Sequence, residues 1–267
     1  MDLNLKGKRA LVTGSSSGIG ASIAELLAAE GVRVVVHGRD ADRARSVADG
    51  ITRQGGEAIV AIGDLATKKG ADSILDTALS HFGKIDILVN NAGGSTDVTL
   101  TWDNSSPEQW TENYETNTVS AVRMIQGCLP GMKESHWGRI IQVSSTGALF
   151  PMPMAVPSYF AAKAAILTMT VSLAKTLADT GVTVNTVSPG PVVTKVMRDY
   201  MLSLPANEGK RWEDIEPTVA RDWHVLVGRM GRPQDLGALI TFLASPLADF
   251  ITGANYRCDG GLCGFIN

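Results

Sequence analysis

Short apolar runs alternate along this chain with segments in which apolar residues recur at helical spacing. We predict six strands at residues 10–12, 32–36, 58–62, 87–89, 139–143 and 182–187, and a closing strand at residues 255–258. Helical spacing follows the first run at Ile19, Ile23 and Leu27. Such alternation is typical of an α/β protein whose parallel sheet is covered by helices. We therefore expect a doubly wound parallel sheet of about seven strands with helices on both faces, in a single domain over residues 1–267.

Two predicted helices are longer than the others. The first spans residues 107–132 and has Asn117, a mediocre helix former, in its interior. The second is expected to begin just after Pro157, to span residues 158–179 and to stop at Gly181. Three small residues of this helix would permit close approach of another subunit: Ala161, Ala162 and Ala165.

Residues 195–231 depart from the alternation of strands and helices. A long excursion at the ligand edge of a sheet is usually a lid or a substrate loop. Its methionine and aromatic residues, Trp212 among them, favour an apolar side to the substrate, although core packing under a short helix explains them almost as well. We expect Ser95, Thr96 and residues 151–154 to shape the same pocket.

Composition excludes several classes of partner. A net charge of −3 without a basic block gives nucleic acid or an anionic membrane little to attract it. The first residues lack an apolar signal core and no run of about 18 apolar residues follows, so we expect a cytoplasmic protein. Three cysteines without metal-type spacing and four scattered histidines predict reduced thiols and no metal site: Cys128, Cys258 and Cys263, with His37, His81, His136 and His224.

A glycine-rich turn separates the first strand from the first helix. Glycines allow backbone N–H groups to approach a pyrophosphate at a helix N-terminus, where the helix dipole favours anions. The spacing is G-x-x-x-G-x-G, and its position between a strand and a helix favours a nucleotide more strongly than the glycines alone do. The cofactor-binding candidates here are Gly14, Ser16, Ser17, Gly18, Ile19 and Gly20.

The residues after the second strand bear on the choice of dinucleotide. An acidic residue in this corner suits the ribose of NAD, whereas an arginine suits the 2′-phosphate of NADP. Gly38 and Arg39 occupy the corner, so NADP(H) is favoured over NAD(H). Asp40 is the complication, because it can neutralise Arg39 or cap the next helix.

Other polar residues follow the predicted strands at their carboxyl ends, where ligands of such sheets bind. Asp64 can accept a hydrogen bond from an adenine amino group or simply cap its loop, and Ser144 and Ser145 are both placed to orient a substrate carbonyl. The further cofactor-binding candidates at these ends are Leu65, Asn91, Ala92, Gly93, Pro189, Gly190, Val192 and Thr194.

Tyr159 and Lys163 lie four residues apart and would project from one face of the second long helix. A tyrosine that exchanges a proton at neutral pH needs a nearby positive charge, because its phenol ordinarily titrates near pH 10. Lys163 and an oxidised nicotinamide would supply that charge. A lone Tyr-x-x-x-Lys is also common on ordinary solvent-facing helices.

Taken together, these motifs resemble the short-chain dehydrogenase/reductase family over essentially the whole chain. They are the glycine turn, Asn90-Asn91-Ala92-Gly93, Asn117, the strand-end serines, Tyr159-x-x-x-Lys163 and Pro189-Gly190 with Thr194, and the final Asp259-Gly260-Gly261 resembles the 3-oxoacyl-carrier-protein-reductase-like branch. The resemblance implies a Rossmann-type fold, usually assembled as a homotetramer.

The same resemblance implies roles for four residues. Tyr159 would be the general acid or base, Lys163 would hold the nicotinamide ribose and lower the Tyr159 pKa, and Asn117 would fix a proton-relaying water. Counting from the end of the strand favours Ser145 as the catalytic serine, whereas counting back from Gly147 favours Ser144. We choose Ser145. Where the family often has a second basic residue, before the second glycine, this chain has Ser17, which weakens the argument for NADP.

Three functions remain open from the residues. The favoured one is transfer of a hydride between NADP(H) and a small carbonyl or secondary alcohol substrate. An NAD-dependent epimerase or dehydratase would need a second acid/base pair, for which the sequence offers no candidate. A non-catalytic dinucleotide-binding sensor or structural subunit would have no need of Asn117, Ser145, Tyr159 and Lys163 together.

Overall fold

The seven predicted strands form one parallel sheet. The structure, a computed structural model, describes residues 2–95, 97–151 and 156–264. The strand order is β3-β2-β1-β4-β5-β6-β7, and every pair of neighbours is parallel. The strands are β1 Arg9–Val12, β2 Arg33–Gly38, β3 Glu57–Ile62, β4 Ile87–Asn90, β5 Gly138–Val143, β6 Val182–Pro189 and β7 Asn255–Cys258. The order reverses between β1 and β4, which is the arrangement of a doubly wound sheet and confirms the predicted fold.

Helices cover both faces of the sheet, as expected when parallel strands are buried on two sides. They are α1 Gly18–Ala29, α2 Ala41–Arg53, α3 Lys68–Phe82, α4 Pro107–Tyr114, α5 Ser120–Glu134, α6 Pro157–Thr176, α7 Lys195–Ser203, α8 Trp212–Asp222 and α9 Pro233–Leu243. One core packs α1, α2 and α9 against the sheet, with Ile23 and Ile240 fully buried. The other lies on the opposite face under α3 and α5, with Ile74 and Met124 fully buried. Burial of each such side chain stabilises the fold by about 1.5–3 kcal/mol.

The prediction of one continuous helix over residues 107–132 is wrong in the middle of that range. A five-residue π-helical turn, Glu115–Val119, separates α4 from α5. Inside it, the Asn117 Nδ2 donates 2.9 Å to the backbone carbonyl of Asn113, four residues earlier. A wider turn frees carbonyls from the regular ladder, and the asparagine side chain satisfies one of them.

The start of the second long helix also differs from the prediction. Pro157 is the first residue of α6 rather than a residue outside it, because a helix needs no partner for its first N–H groups. The helix ends at Thr176, before the predicted end at 179. Ala162 is buried within its own chain and is therefore unavailable to another subunit.

Residues 195–231 fold around a small core of their own. Trp212 is buried there with Ile215, Val219 and Met230. Its indole Nε1 donates 3.0 Å to the carboxylate of Glu216, whose other oxygen accepts the Met230 N–H at 3.2 Å. The burial of Trp212 favours the core-packing alternative, and the expectation that this segment borders the substrate stays a prediction. Of the other expected pocket residues, Thr96, Met152, Pro153 and Met154 lie outside the described residues.

Three further observations concern the cysteines, metal sites and membrane-spanning helices. The three cysteines are free thiols. In the described ranges, no group of three or more histidine, cysteine, aspartate or glutamate residues is arranged to hold a metal ion. Over the same ranges, no helix is both long enough and apolar enough to cross a membrane.

Candidate active site

A cavity of about 400 Å³ opens at the carboxyl edge of the sheet. The ends of β1, β4, β5 and β6 meet there with the first turns of α1, α6 and α7. Its lining residues are Gly14, Ser17, Gly18, Ile19, Gly20, Asn91, Gly93, Val143, Ser144, Ser145, Tyr159, Lys163, Pro189, Gly190, Val192, Thr194, Lys195 and Val196. The cavity thus brings together Ser145, Tyr159 and Lys163 with most of the glycine turn, whereas six predicted site residues do not line it: Ser16, Arg39, Asp64, Leu65, Ala92 and Asn117.

The glycine turn is packed closely against the residues around it. Gly14 has a φ of +64°, and a Cβ there would lie 2.9 Å from the Ala92 Cα. A Cβ on Gly20 would lie 2.3 Å from the Gly14 carbonyl oxygen. Ser17 precedes α1 without a side-chain cap for its first N–H groups. The turn is therefore tightly packed from behind, and its helix N-terminus is left to a ligand.

Asn91 fixes the back of this turn. Its Nδ2 donates 2.9 Å to the Thr13 carbonyl and 3.2 Å to the Gly14 carbonyl. The Thr13 Oγ1 accepts the backbone N–H groups of Asn91 and Ala92, at 3.0 and 2.9 Å. Asn91 and Ala92 therefore hold the end of β1 and the glycine turn against the end of β4.

Arg39 lies beside the glycine turn, at the end of β2. Its side chain is exposed and, within the part of the chain that the structure describes, has no hydrogen bond or ion pair. A Cβ on Gly38 would lie 2.6 Å from the Ser16 Oγ, so Ser16 shares this corner. Asp40 caps α2 by accepting the N–H groups of Asp42 and Arg43, and it pairs with the Arg43 guanidinium at 2.9 Å. Asp40 therefore takes its capping role and leaves Arg39 available.

Asp64 and Leu65 lie outside the cavity lining. The Asp64 carboxylate accepts the backbone N–H of Ala66 at 3.0 Å. It therefore caps its own loop, the second of the two roles expected for it. Asp64 is exposed, whereas Leu65 packs into the second core with 6% of its surface exposed. Only the backbone of Leu65 is thus available to a ligand.

Ser145 and Ser144 point to different partners. The Ser145 hydroxyl accepts the Gly147 N–H at 3.1 Å, and its interaction with the phenol of Tyr159 lowers the pKa of that phenol. The Ser144 Oγ is buried and donates 2.8 Å to the backbone carbonyl of Lys163. The geometry thus favours Ser145 as the serine that meets a substrate beside Tyr159.

Burial governs the ionisation of Tyr159 and Lys163. It raises the pKa of the Tyr159 phenol above 10, and the hydrogen bond from Ser145 opposes the shift. The lowering expected from Lys163 together with an oxidised nicotinamide stays a prediction, because it depends on the bound cofactor. Lys163 is 3% exposed, its Nζ donates 2.9 Å to the Val143 carbonyl, and burial lowers its pKa to about 8. The Lys163 Nζ lies 5.9 Å from the centroid of the Tyr159 ring.

Asn117 clamps the loop that follows β4. Its Oδ1 accepts the Gly94 N–H at 2.8 Å and its Nδ2 donates to the Gly94 carbonyl at 2.9 Å. A Cβ on Gly93 would lie 2.5 Å from the Asn117 Oδ1 and 3.0 Å from the Lys163 Nζ. Asn117 therefore lies behind the cavity, next to Lys163, rather than on its surface.

The β6 edge of the cavity ends at the first turn of α7. Thr194 caps α7 by accepting the Met197 N–H at 3.2 Å, and its Cγ2 would lie 3.3 Å from a Cβ on Gly18. Sequence reasoning did not single out Val143, Lys195 and Val196 as lining residues. They could have been found from the sequence by their position next to the predicted site residues Ser144 and Thr194.

Comparisons with known proteins agree with this geometry. The model of the short chain dehydrogenase family matches residues 8–203. The 3-oxoacyl-[acyl-carrier-protein] reductase of Vibrio cholerae is 37% identical over 265 residues, or 97% of this chain and 99% of that protein. Both matches include the glycine turn and the Tyr159 helix.

Solved structures extend the similarity to the whole fold. L-Sorbose reductase from Gluconobacter frateurii, complexed with NADPH and L-sorbose, has a TM-score of 0.94 and 33% identity, with 100% of both chains covered. A 7α-hydroxysteroid dehydrogenase complexed with NADH and 7-oxo glycochenodeoxycholic acid has a TM-score of 0.87 and 31% identity, with 100% of this chain and 98% of that chain covered. Similar folds thus bind different nicotinamide dinucleotides.

Proposed function

Because the chain belongs to the short-chain dehydrogenase/reductase family, in its 3-oxoacyl-carrier-protein-reductase-like branch, we propose that it transfers a hydride between NADP(H) and a carbonyl or secondary alcohol substrate. The observation that carries this proposal is the meeting of Ser145, Tyr159 and Lys163 with the glycine turn in one cavity. When bound, the nicotinamide supplies or accepts the hydride. The residues of the chain must then bind the substrate oxygen and move one proton.

Tyr159 supplies that proton in the reductive direction. A raised pKa keeps its phenol protonated at neutral pH, which is the state required to protonate a developing alkoxide. The Ser145 hydroxyl, already in contact with the phenol, donates to the substrate oxygen and holds it within reach of Tyr159. In the oxidative direction, Lys163 offsets the charge of the phenolate, and its pKa of about 8 lets it gain or lose a proton near neutral pH.

Arg39 and Ser16 support NADP(H) over NAD(H). An exposed arginine without a protein partner suits a 2′-phosphate, and the Ser16 hydroxyl lies at the same corner. NADPH in the structurally similar L-sorbose reductase agrees with this choice. Asp40, the acidic residue next to Arg39, is engaged with α2 and so is not free to receive a ribose.

For the assembly, we propose a homotetramer that uses the outer face of α6. Ala161 is exposed there, and Val171 leaves 43% of its surface exposed. A small residue and an apolar one on a long helix suit close packing against another copy of that helix. Light scattering of the purified protein should give the mass of four chains, and a monomer would contradict this assignment.

The proposed function is tested by fluorescence titration with NADPH and NADH in parallel, followed by a panel of carbonyl compounds with the tighter cofactor. The panel should include L-sorbose, a 3-oxoacyl thioester, a steroid ketone and a small aromatic ketone. We expect tighter binding of NADPH and turnover of at least one compound. Binding without turnover would favour the sensor alternative, and isomerisation without net redox change would favour the epimerase.

A further inference from the structure

The imidazole of His37 joins two loops at the nucleotide site. His37 is the penultimate residue of β2 and is 3% exposed. Its Nδ1 accepts the backbone N–H of Gly14 at 2.9 Å. Its Nε2 lies 3.1 Å from the backbone carbonyl oxygen of Gly63, in the loop after β3. One ring thus connects the glycine turn with the Asp64 loop.

The two partners allow only one protonation state of this ring. A backbone N–H can only donate, so Nδ1 must be an unprotonated acceptor. A backbone carbonyl can only accept, so Nε2 must carry the hydrogen. The neutral Nε2–H tautomer therefore satisfies both loops. A proton added at Nδ1 would place two donors against each other in a buried site.

The backbone of His37 holds the same turn. Its N–H donates 2.9 Å to the Ser15 Oγ, and its carbonyl accepts the Ser15 N–H at 2.8 Å. The Gly14 carbonyl is held on the opposite side by Asn91. The imidazole is therefore the only part of this arrangement among the described residues that can change its hydrogen bonding by titration near neutral pH.

We propose that His37 is a positioning residue of the nucleotide site, and that it holds the glycine turn in its binding conformation only while its imidazole is neutral. Protonation releases Gly14 and loosens the turn that receives the diphosphate. The inference rests on the proposed dinucleotide-dependent function, and it adds a dependence of nucleotide binding on pH.

The charges around the ring agree with a neutral state. The turn of residues 13–18 carries no ionisable side chain. Asp64, from the β3 loop, raises the pKa of His37, and Arg39, from its own strand end, lowers it. Burial is the largest effect and lowers the pKa of His37 below its ordinary 6.5. Nucleotide binding should therefore be intact above about pH 6.5 and weaken as the pH falls below it.

The first test reads the tautomer directly. Nitrogen-15 NMR of the wild-type protein without nucleotide is compared with His37→Gln, which identifies the His37 signals among the four histidines. We expect the Nε2–H tautomer at about pH 7.5 and protonation only below pH 6.5. A proton on Nδ1 at about pH 7.5 would overturn the proposal, whether or not the protein is a reductase.

The second test measures the dissociation constant of NADP⁺ by calorimetry between about pH 5.5 and 8. Loss of one hydrogen bond in the turn should weaken wild-type binding about tenfold on protonation of His37. His37→Gln keeps an acceptor and a donor but does not titrate, so it should bind at neutral pH and lack this step. His81→Gln, at an exposed histidine, should keep the step. The 2′-phosphate also titrates near pH 6, but it does so equally in all three proteins.

The two tests separate this inference from the proposed function. Equal pH profiles in wild type and His37→Gln would overturn the positioning role while leaving the reductase intact. Binding that responds to His37 without turnover of any carbonyl compound would support the inference and contradict the reductase.

Discussion

The Oγ of Ser144 donates a 2.8 Å hydrogen bond to the backbone carbonyl of Lys163, and so Ser144 faces away from the reacting groups. Its neighbour Ser145 instead interacts with the phenol of Tyr159 and lowers the pKa of that phenol. Because consecutive residues at a strand end point in opposite directions, one of the two serines can serve the substrate and the other serves the scaffold.

Ser145→Ala should therefore lower kcat/KM by about 10² to 10³, the usual effect of removing one donor that stabilises a developing oxyanion. Ser144→Ala is the matched control. It should leave the rate nearly unchanged and cost about 1 kcal/mol of unfolding free energy, because it removes a buried hydrogen bond. Steady-state kinetics and urea unfolding of both variants check this assignment, and the reverse pattern would make Ser144 the catalytic serine.

Tyr159→Phe should lower the rate on the order of 10² to 10⁴, because it removes the proton donor while keeping the ring. The dissociation constant of NADPH should stay within about twofold of wild type, because the glycine turn holds the diphosphate independently of the phenol. Single-turnover kinetics with a fluorescence titration test both statements. Turnover close to wild type would remove Tyr159 from the mechanism.

Arg39→Asp should shift the cofactor preference from NADP(H) towards NAD(H). The substitution removes the exposed guanidinium and places a carboxylate where a ribose hydroxyl can donate to it. Arg45→Asp is the control, since Arg45 lies on α2, the helix that follows Arg39, and pairs with Asp42 at 3.0 Å. The ratio of kcat/KM for the two cofactors is the measurement, and an unchanged ratio in Arg39→Asp would mean that the 2′-phosphate is bound elsewhere.

Asn117→Leu should destabilise the protein by about 2–4 kcal/mol, because the Gly94 N–H and carbonyl and the Asn113 carbonyl would lose their partner. Cleavage within residues 97–106 by a protease should become faster, since Asn117 anchors the start of this loop, at Gly94, to the π-helical turn between α4 and α5. Asn104→Leu removes comparable bonds from an exposed asparagine and should have a smaller effect. Equal losses in the two variants would contradict the anchoring role.

The central strands β1, β2 and β4 could be predicted from sequence because they are buried on both faces and therefore read as apolar runs. The same reasoning correctly placed Tyr159 and Lys163 on one helix face, since their spacing is local. It did not decide the role of Trp212, because an aromatic residue in a long segment gives no indication of whether it faces a ligand or its own small core.

Contacts between distant residues account for what the sequence could not indicate. The bonds of His37 to Gly14 and Gly63 span 23 and 26 residues, and they exist only because three loops meet at one sheet edge. The raised pKa of Tyr159 has the same origin, since burial depends on how the surrounding elements pack. The π-helical turn at Asn117 left only a weak signal, a mediocre helix former within an otherwise helical segment.

Lys163 should make the stability of the protein depend on pH in the alkaline range. Its pKa is about 8 in the folded protein and near its ordinary 10.5 in the unfolded chain, so the unfolded chain holds more protons between these values. Stability should therefore rise as the pH increases from 8 towards 10.5, while the full penalty of a buried ammonium applies below 8. Between about pH 7.5 and 9.5, wild type should gain about 2 kcal/mol relative to Lys163→Met, which lacks the titrating group. Urea unfolding at both pH values tests this prediction. Lys175 is exposed, so Lys175→Met is the control and should follow wild type. If stability changed equally with pH in wild type and Lys163→Met, the Lys163 ammonium would not be buried as the structure indicates.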